Sequence, residues 1–171
     1  IVVGEDPMTS WVTATIEAAS IGTGNPERDE HLRSPDFLDT QRFPTLEYRS
    51  TGIRWLGEED PIFLWAALRN QRIGLRGGDP VRPRQRSRGG GRIVLAGQLT
   101  VRAVTRPVDL QVEFGGARRD PYGRDIFGFT ATADIDREEY GLLWNVALES
   151  GGVLVGKNVR IEIAGEAIRQ D

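Results

Sequence analysis

The chain contains no cysteine and one residue each of histidine, methionine and lysine among its 171 residues. Without cysteine there is no disulfide framework, no thiolate metal site and no cysteine nucleophile. A single histidine, His31, excludes multi-histidine metal sites and leaves any Ser-His-Asp arrangement one candidate base. No apolar run approaches the roughly 18 residues that a spanning helix needs. Aromatic residues are only 8%, whereas Gly 21 and Pro 9 make the chain rich in turns, which favours many short strands over long helices. Hydrophobic residues at 39% and charged residues at 27% are ordinary for a globular chain, and the length suits one domain over residues 1–171.

Because Lys157 is the one lysine, nearly every cation is arginine, a bias that reads first as coding composition and only weakly as function. The cations are also unevenly placed. Residues 61–92 hold eight arginines against one acid, Asp79, a balance of +7, so the net charge of -3 leaves −10 for the rest. An acidic body repels phosphate backbones and makes nucleic acid a poor partner for it. Within the basic segment, the Gly/Arg/Pro-rich tract 74–92 has little to bury and reads as a disordered loop inserted between two strands. The tract could bind RNA or an anionic membrane surface in a salt-dependent way, but it lacks interleaved aromatics and a repeated unit. An inert surface loop is the favoured reading.

Several short patterns suggest chemistry, and each has a simpler explanation. Ile1-Val2-Val3-Gly4 is similar to the mature start of trypsin-like proteases, yet no Gly-Asp-Ser-Gly follows. His31 sits in the polar stretch Arg28–Ser34, where a structural hydrogen bond accounts for it better than general-base catalysis does. The acidic run Asp134, Asp136, Glu138 and Glu139 lacks the spacing of a calcium loop, and helix capping explains it better. Gly22, Gly24, Gly115, Gly116, Gly151 and Gly152 read as turn residues between strands rather than a phosphate loop.

What the chain does have is period-two alternation. Val12, Ala14, Ile16 and Ala18 share one face of the first run, against Thr13, Thr15 and Glu17. Leu46 and Tyr48 alternate with Glu47 and Arg49; Ile93, Leu95, Gly97 and Leu99 form the apolar side of a third run. Val108, Leu110, Val112 and Phe114 form a fourth, Phe127, Phe129, Ala131, Ala133 and Ile135 a fifth, and Val159, Ile161 and Ile163 a sixth. Six such runs predict an antiparallel sheet with one wet side, which must curl or pair to hide the other, giving a barrel or a sandwich. Asn25-Pro26 starts a short helix that Pro35 ends near Ser34, and Asp136 can cap a second turn that Gly141 breaks.

Longer stretches carry a resemblance. Ser20–Asn25, Arg28–Asp39, Phe43–Thr51, Gly97–Val108, Gly128-Phe129 with Asp136–Leu142, and Val155–Val159 together resemble the YceI-like family, in the right order over residues 1–60 and 92–171. The resemblance implies an all-β, eight-stranded antiparallel, lipocalin-like barrel that binds, transports or sequesters an isoprenoid lipid, a polyprenyl quinone or polyprenol, without enzymatic activity. It also implies that about two strands precede the point where this sequence starts. Their absence would leave an open seam that invites pairing into a homodimer. Family members occur in the cytoplasm or are periplasmic or secreted, and the compartment here stays open.

On this reading the residues facing the ligand are Val12, Ala14, Ile16, Leu46, Tyr48, Leu95, Leu99, Leu110, Val112, Phe127, Phe129, Ala131, Val159 and Ile161. The rival explanation is that the same side chains simply pack the core, because both roles need the same alternation. No metal or catalytic residue is expected, and the bound isoprenoid is the only ligand implied.

Overall fold

The computed structural model describes residues 1–2, 9–56 and 92–168. The insertion expected over 61–92 lies outside these residues, except that Arg92 opens a strand. Among the described residues six strands form one sheet: β1 (Thr13–Glu17), β2 (Thr45–Trp55), β3 (Arg92–Val101), β4 (Val104–Arg119), β5 (Asp125–Asp136) and β6 (Asn158–Ile168). Each pairs antiparallel with the next, so spatial order equals chain order, and the sheet curls into a half-barrel. β1 and β6 are its two margins and do not pair with one another among the described residues. Each of the six alternating runs therefore became a strand, and no helix among the described residues is long and apolar enough to cross a membrane.

Two bulges bend the sheet. In β2 the register shifts between Ser50 and Gly52, and in β4 between Phe114 and Gly116. A bulge places one extra residue on one strand, which reverses the parity of every position after it and increases the local twist. Leu46, Tyr48 and Ser50 face the core before the first bulge, while Ile53 and Trp55, opposite Leu95 and Ile93, face it afterwards. The second bulge corrects one expectation. Gly115 and Gly116 are not a turn between strands; they lie inside β4, at the register shift itself.

The helix α1 spans Pro26–Arg33. The Asn25 side chain accepts from the Arg28 N–H at 3.1 Å, Pro26 occupies the first turn where no donor is needed, and the helix stops at Ser34 before Pro35. The Ile16–Leu46, Thr100–Thr105 and Asp136–Asn158 pairs show that the flanks of α1, the β3–β4 hairpin tip and the start of the β5–β6 connection lie at one end of the sheet. We call this the capped end.

At the hairpin tip, Arg102 (φ 50°) and Ala103 (φ 63°) both adopt the left-handed conformation of a two-residue turn normally made by Asn-Gly. In the β5–β6 connection a 3-10 turn covers Arg137–Tyr140, capped by the Asp136 carboxylate on the Glu138 N–H at 2.9 Å, and Gly141 ends it at φ 75°.

Candidate ligand-binding face

Strand register decides which side chains share a face, because directly opposed residues point the same way. Ala14 and Ile16 oppose Tyr48 and Leu46, and Tyr48 opposes Leu99. Leu95 opposes Leu110, and Val112 opposes Ala131. Phe129 follows across the seam from Phe114, with Phe127 two residues before it, while Ala133 and Ile135 oppose Ile161 and Val159. Val12 joins the set through a reciprocal contact with Ser50, whose N–H donates to the Val12 carbonyl at 2.9 Å and whose hydroxyl accepts from the Val12 N–H at 2.8 Å. All fourteen residues singled out from sequence therefore lie on one face.

Burial across that face is uneven. Tyr48, Leu95, Leu99, Leu110, Val112 and Ala131 are buried, and Val12, Leu46, Phe127, Phe129 and Ile161 are half-buried. Ala14, Ile16 and Val159 are exposed, Ile16 to 49% and Val159 to 40%. Val101, Val108 and Ala133 also belong to the buried cluster and carried the same alternation signal, although the sequence-derived site left them out. Phe114, Phe127 and Phe129 form a short ladder with successive ring centroids 6.2 Å apart, and Phe129 lies over Gly165, where an added Cβ would come within 3.2 Å of the ring.

Tyr48 brings a polar group into the centre. Its hydroxyl donates to the Leu95 carbonyl at 2.8 Å, and its ring occupies the space that Gly97 leaves free. Burial, reinforced by the Asp109 charge, pushes the phenol up to about 12. It stays a neutral donor at physiological pH.

The capped end is built from polar contacts. Arg137 is 3% exposed, and its guanidinium donates to four backbone carbonyls: Gly156 at 2.9 Å, Trp144 at 3.1 Å, Val155 at 3.4 Å, and Leu142. Asn145 adds three bonds within the same connection, to Val155 N–H and carbonyl and to Val146 N–H. Arg33 holds the Ala19 and Ile21 carbonyls at 3.0 and 2.6 Å, and Arg102 reaches the Phe37 carbonyl at 2.9 Å. Asp29 accepts from the Thr23 hydroxyl and N–H, and the hydroxyl bond above all lowers its pKa.

His31 belongs to this network. Its Nε2 lies 2.9 Å from an Asp36 oxygen, and its ring meets Phe37 and Trp144 edge-on at centroid distances of 5.0 and 4.4 Å. These contacts tie α1 to the β5–β6 connection and are those of a structural residue. Of the acidic run, Asp136 caps a turn and lies 3.9 Å from Lys157, and no group of three acidic or histidine side chains suited to a metal ion occurs among the described residues.

A cleft of about 480 Å³ runs over the β4–β5 seam. Pro107, Asp109, Gln111, Thr132, Asp134 and Asp136 line it from the polar face, and Glu139 and Tyr140 border it at the capped end. Sequence patterning missed Tyr140, which lies in a turn outside every alternating run, although the Asp136–Leu142 stretch that carries the family resemblance includes it.

A family model described as YceI-like domain matches residues 1–167. UPF0312 protein SAB2563 of Staphylococcus aureus (strain bovine RF122 / ET3-1) is 30% identical over 162 residues, which cover 94% of this chain and 73% of that protein. UPF0312 protein SERP2314 of Staphylococcus epidermidis is 32% identical over 155 residues, covering 90% of this chain and 69% of its own. Among solved structures, the Campylobacter jejuni YCEI protein superposes with a TM-score of 0.63 at 16% identity, covering 96% of this chain and 84% of that one. Burkholderia cenocepacia BcnA gives 0.57 at 15% identity, with coverage of 92% and 84%. At such identities these two structures establish a shared fold.

Proposed function

From the membership of this chain in the YceI-like domain family, we propose that its apolar concave face holds the hydrocarbon chain of an isoprenoid lipid, a polyprenyl quinone or polyprenol, and that the protein carries or sequesters it. One observation carries the reading: apolar side chains from all six strands meet on one face, while the opposite face is mostly Thr, Glu, Gln, Asp and Arg, with Val94 and Ile126 its buried apolar residues. A flexible prenyl chain suits such a face, because its affinity comes from apolar area removed from water, at about 25 cal/mol per Å², and needs no directional contacts along its length.

The exposed margins support the same reading. Ile16 on β1 and Val159 and Ile163 on β6 keep 49%, 40% and 39% of their surface in water, so a hydrocarbon laid along them removes area that the fold itself leaves wet. His31, Arg137 and Asn145 at the capped end are occupied in holding Asp36 or loop backbone, so the chemistry proposed is binding rather than catalysis.

Solvent extraction of the purified protein followed by mass spectrometry tests this directly. A prenyl lipid recovered in near-stoichiometric amount is the expected result. Extracts without any isoprenoid, from protein that also fails to take up added geranylgeraniol, would refute it.

A further inference from the structure

Two tyrosines are buried against the core face, and their hydroxyls are treated differently. The Tyr48 hydroxyl donates to the Leu95 carbonyl at 2.8 Å. Tyr140 is 2% exposed, the largest fully buried side chain among the described residues, and its hydroxyl has no partner. A buried hydroxyl without a partner is destabilising, and phenylalanine would fill the same space without that loss. An orphan of this kind in a folded protein calls for an explanation outside the fold's own contacts.

We infer that the Tyr140 hydroxyl is the polar contact for the bound lipid, donating a hydrogen bond to an uncharged oxygen, carbonyl or hydroxyl, at one end of a molecule whose hydrocarbon chain lies along the apolar face. This rests on the isoprenoid reading above and adds the chemistry of the head group and the end of the sheet where it sits.

Position supports the assignment. Tyr140 belongs to the same buried cluster as Tyr48, Leu95, Leu99 and Leu110, so it adjoins the face that would hold the chain. The 3-10 turn that carries Tyr140 packs against β4 at the capped end, where directional contacts already replace apolar ones.

Charge selects the kind of oxygen. Burial, and after it the Glu139 carboxylate, hold the phenol above its ordinary pKa, with Arg106 opposing, so at neutral pH it remains protonated and can donate. Arg106 is directly opposite Leu99, which places it on the core face, and Glu139 precedes Tyr140 in the turn. The Glu139 charge acts on the phenol more strongly than the Arg106 charge, so an anionic head would meet net repulsion, and a cationic ammonium offers a donating phenol no acceptor. A neutral oxygen meets neither penalty.

The test uses the full chain loaded with diphenylhexatriene, displaced by geranylgeraniol or by phytane, two isoprenoids of equal carbon number with and without an oxygen. Geranylgeraniol should displace the probe at about tenfold lower concentration, the worth of one hydrogen bond. Tyr140→Phe should bring geranylgeraniol to the level of phytane, leave phytane unchanged and raise Tm, because the unpaired hydroxyl is gone. A preference that survives Tyr140→Phe would overturn the inference by showing that the ligand oxygen has another partner, and a lowered Tm would overturn it by showing that the Tyr140 hydroxyl has one. Equal displacement by the two compounds on the unsubstituted protein would overturn it without any variant and leave the isoprenoid reading intact. If neither compound displaces the probe, the isoprenoid reading fails and the inference fails with it.

Discussion

The middle of the sheet and its capped end are held together by different physics. In the middle, Leu95, Leu99, Leu110, Val112 and Ala131 are buried against one another with no directional bond between side chains. At the capped end, Arg33, Arg102 and Arg137 bind backbone carbonyls of the β1–β2 and β5–β6 connections, and Asp29 and Asn145 secure these two loops further. The first arrangement tolerates changes of shape and can accept another hydrocarbon; the second fixes loops to a frame and has little to offer an apolar ligand. A molecule with a long apolar chain and one polar end matches that division.

Substitutions that break one region while sparing the other would sharpen this contrast. The largest effect is expected in the centre. Leu110→Ala should cost about 2–5 kcal/mol, because a buried methyl cluster is lost and a cavity remains, whereas Ile16→Ala on the exposed margin should cost under about 1 kcal/mol. Denaturant melts of the two variants, compared at equal m-value, measure the difference; equal losses would mean that the face is uniformly packed.

Next comes Arg137→Met, which keeps the apolar stem and removes the donors. It leaves the Leu142, Trp144, Val155 and Gly156 carbonyls without their guanidinium, and a loss of about 2–3 kcal/mol is expected. Limited proteolysis should then cut within residues 142–156 while the strands stay intact. Cleavage spread evenly through the sheet would show that this arginine supports the core rather than one connection.

The smallest effect has the opposite sign. Ala103 adopts φ 63° at the β3–β4 tip, where a side chain is strained, so Ala103→Gly should stabilise the protein by up to about 1 kcal/mol. A calorimetric Tm that falls instead would mean that Gly in the unfolded chain costs more entropy than the turn regains.

Much of the architecture was legible in particular residues. Val108, Leu110, Val112 and Phe114 alternate cleanly and are paired in register, and Asn25-Pro26 marked a helix that starts at Pro26. The bulges were not legible, because nothing local at Ser50–Gly52 distinguishes an extra residue in a strand from the end of one, and Gly115-Gly116 has the composition of a turn. The role of Arg137 was not legible for a related reason. Nothing within Asp136–Glu139 sets it apart, and only the chain's return at Leu142–Gly156 encloses it in carbonyls.

For the candidate site, the sequence was enough to place fourteen residues on one face, since side-chain direction in a strand depends only on parity and on the absence of an intervening bulge. It could not rank them. Ile16 and Leu110 have the same pattern around them, yet one is on a margin and the other is flanked by strands on both sides. Local alternation determined which way each side chain points. The position of each strand in the sheet, set by contacts between residues far apart in the chain, decided which side chains are covered, which stay available, and that Tyr140 is buried with its hydroxyl unpaired.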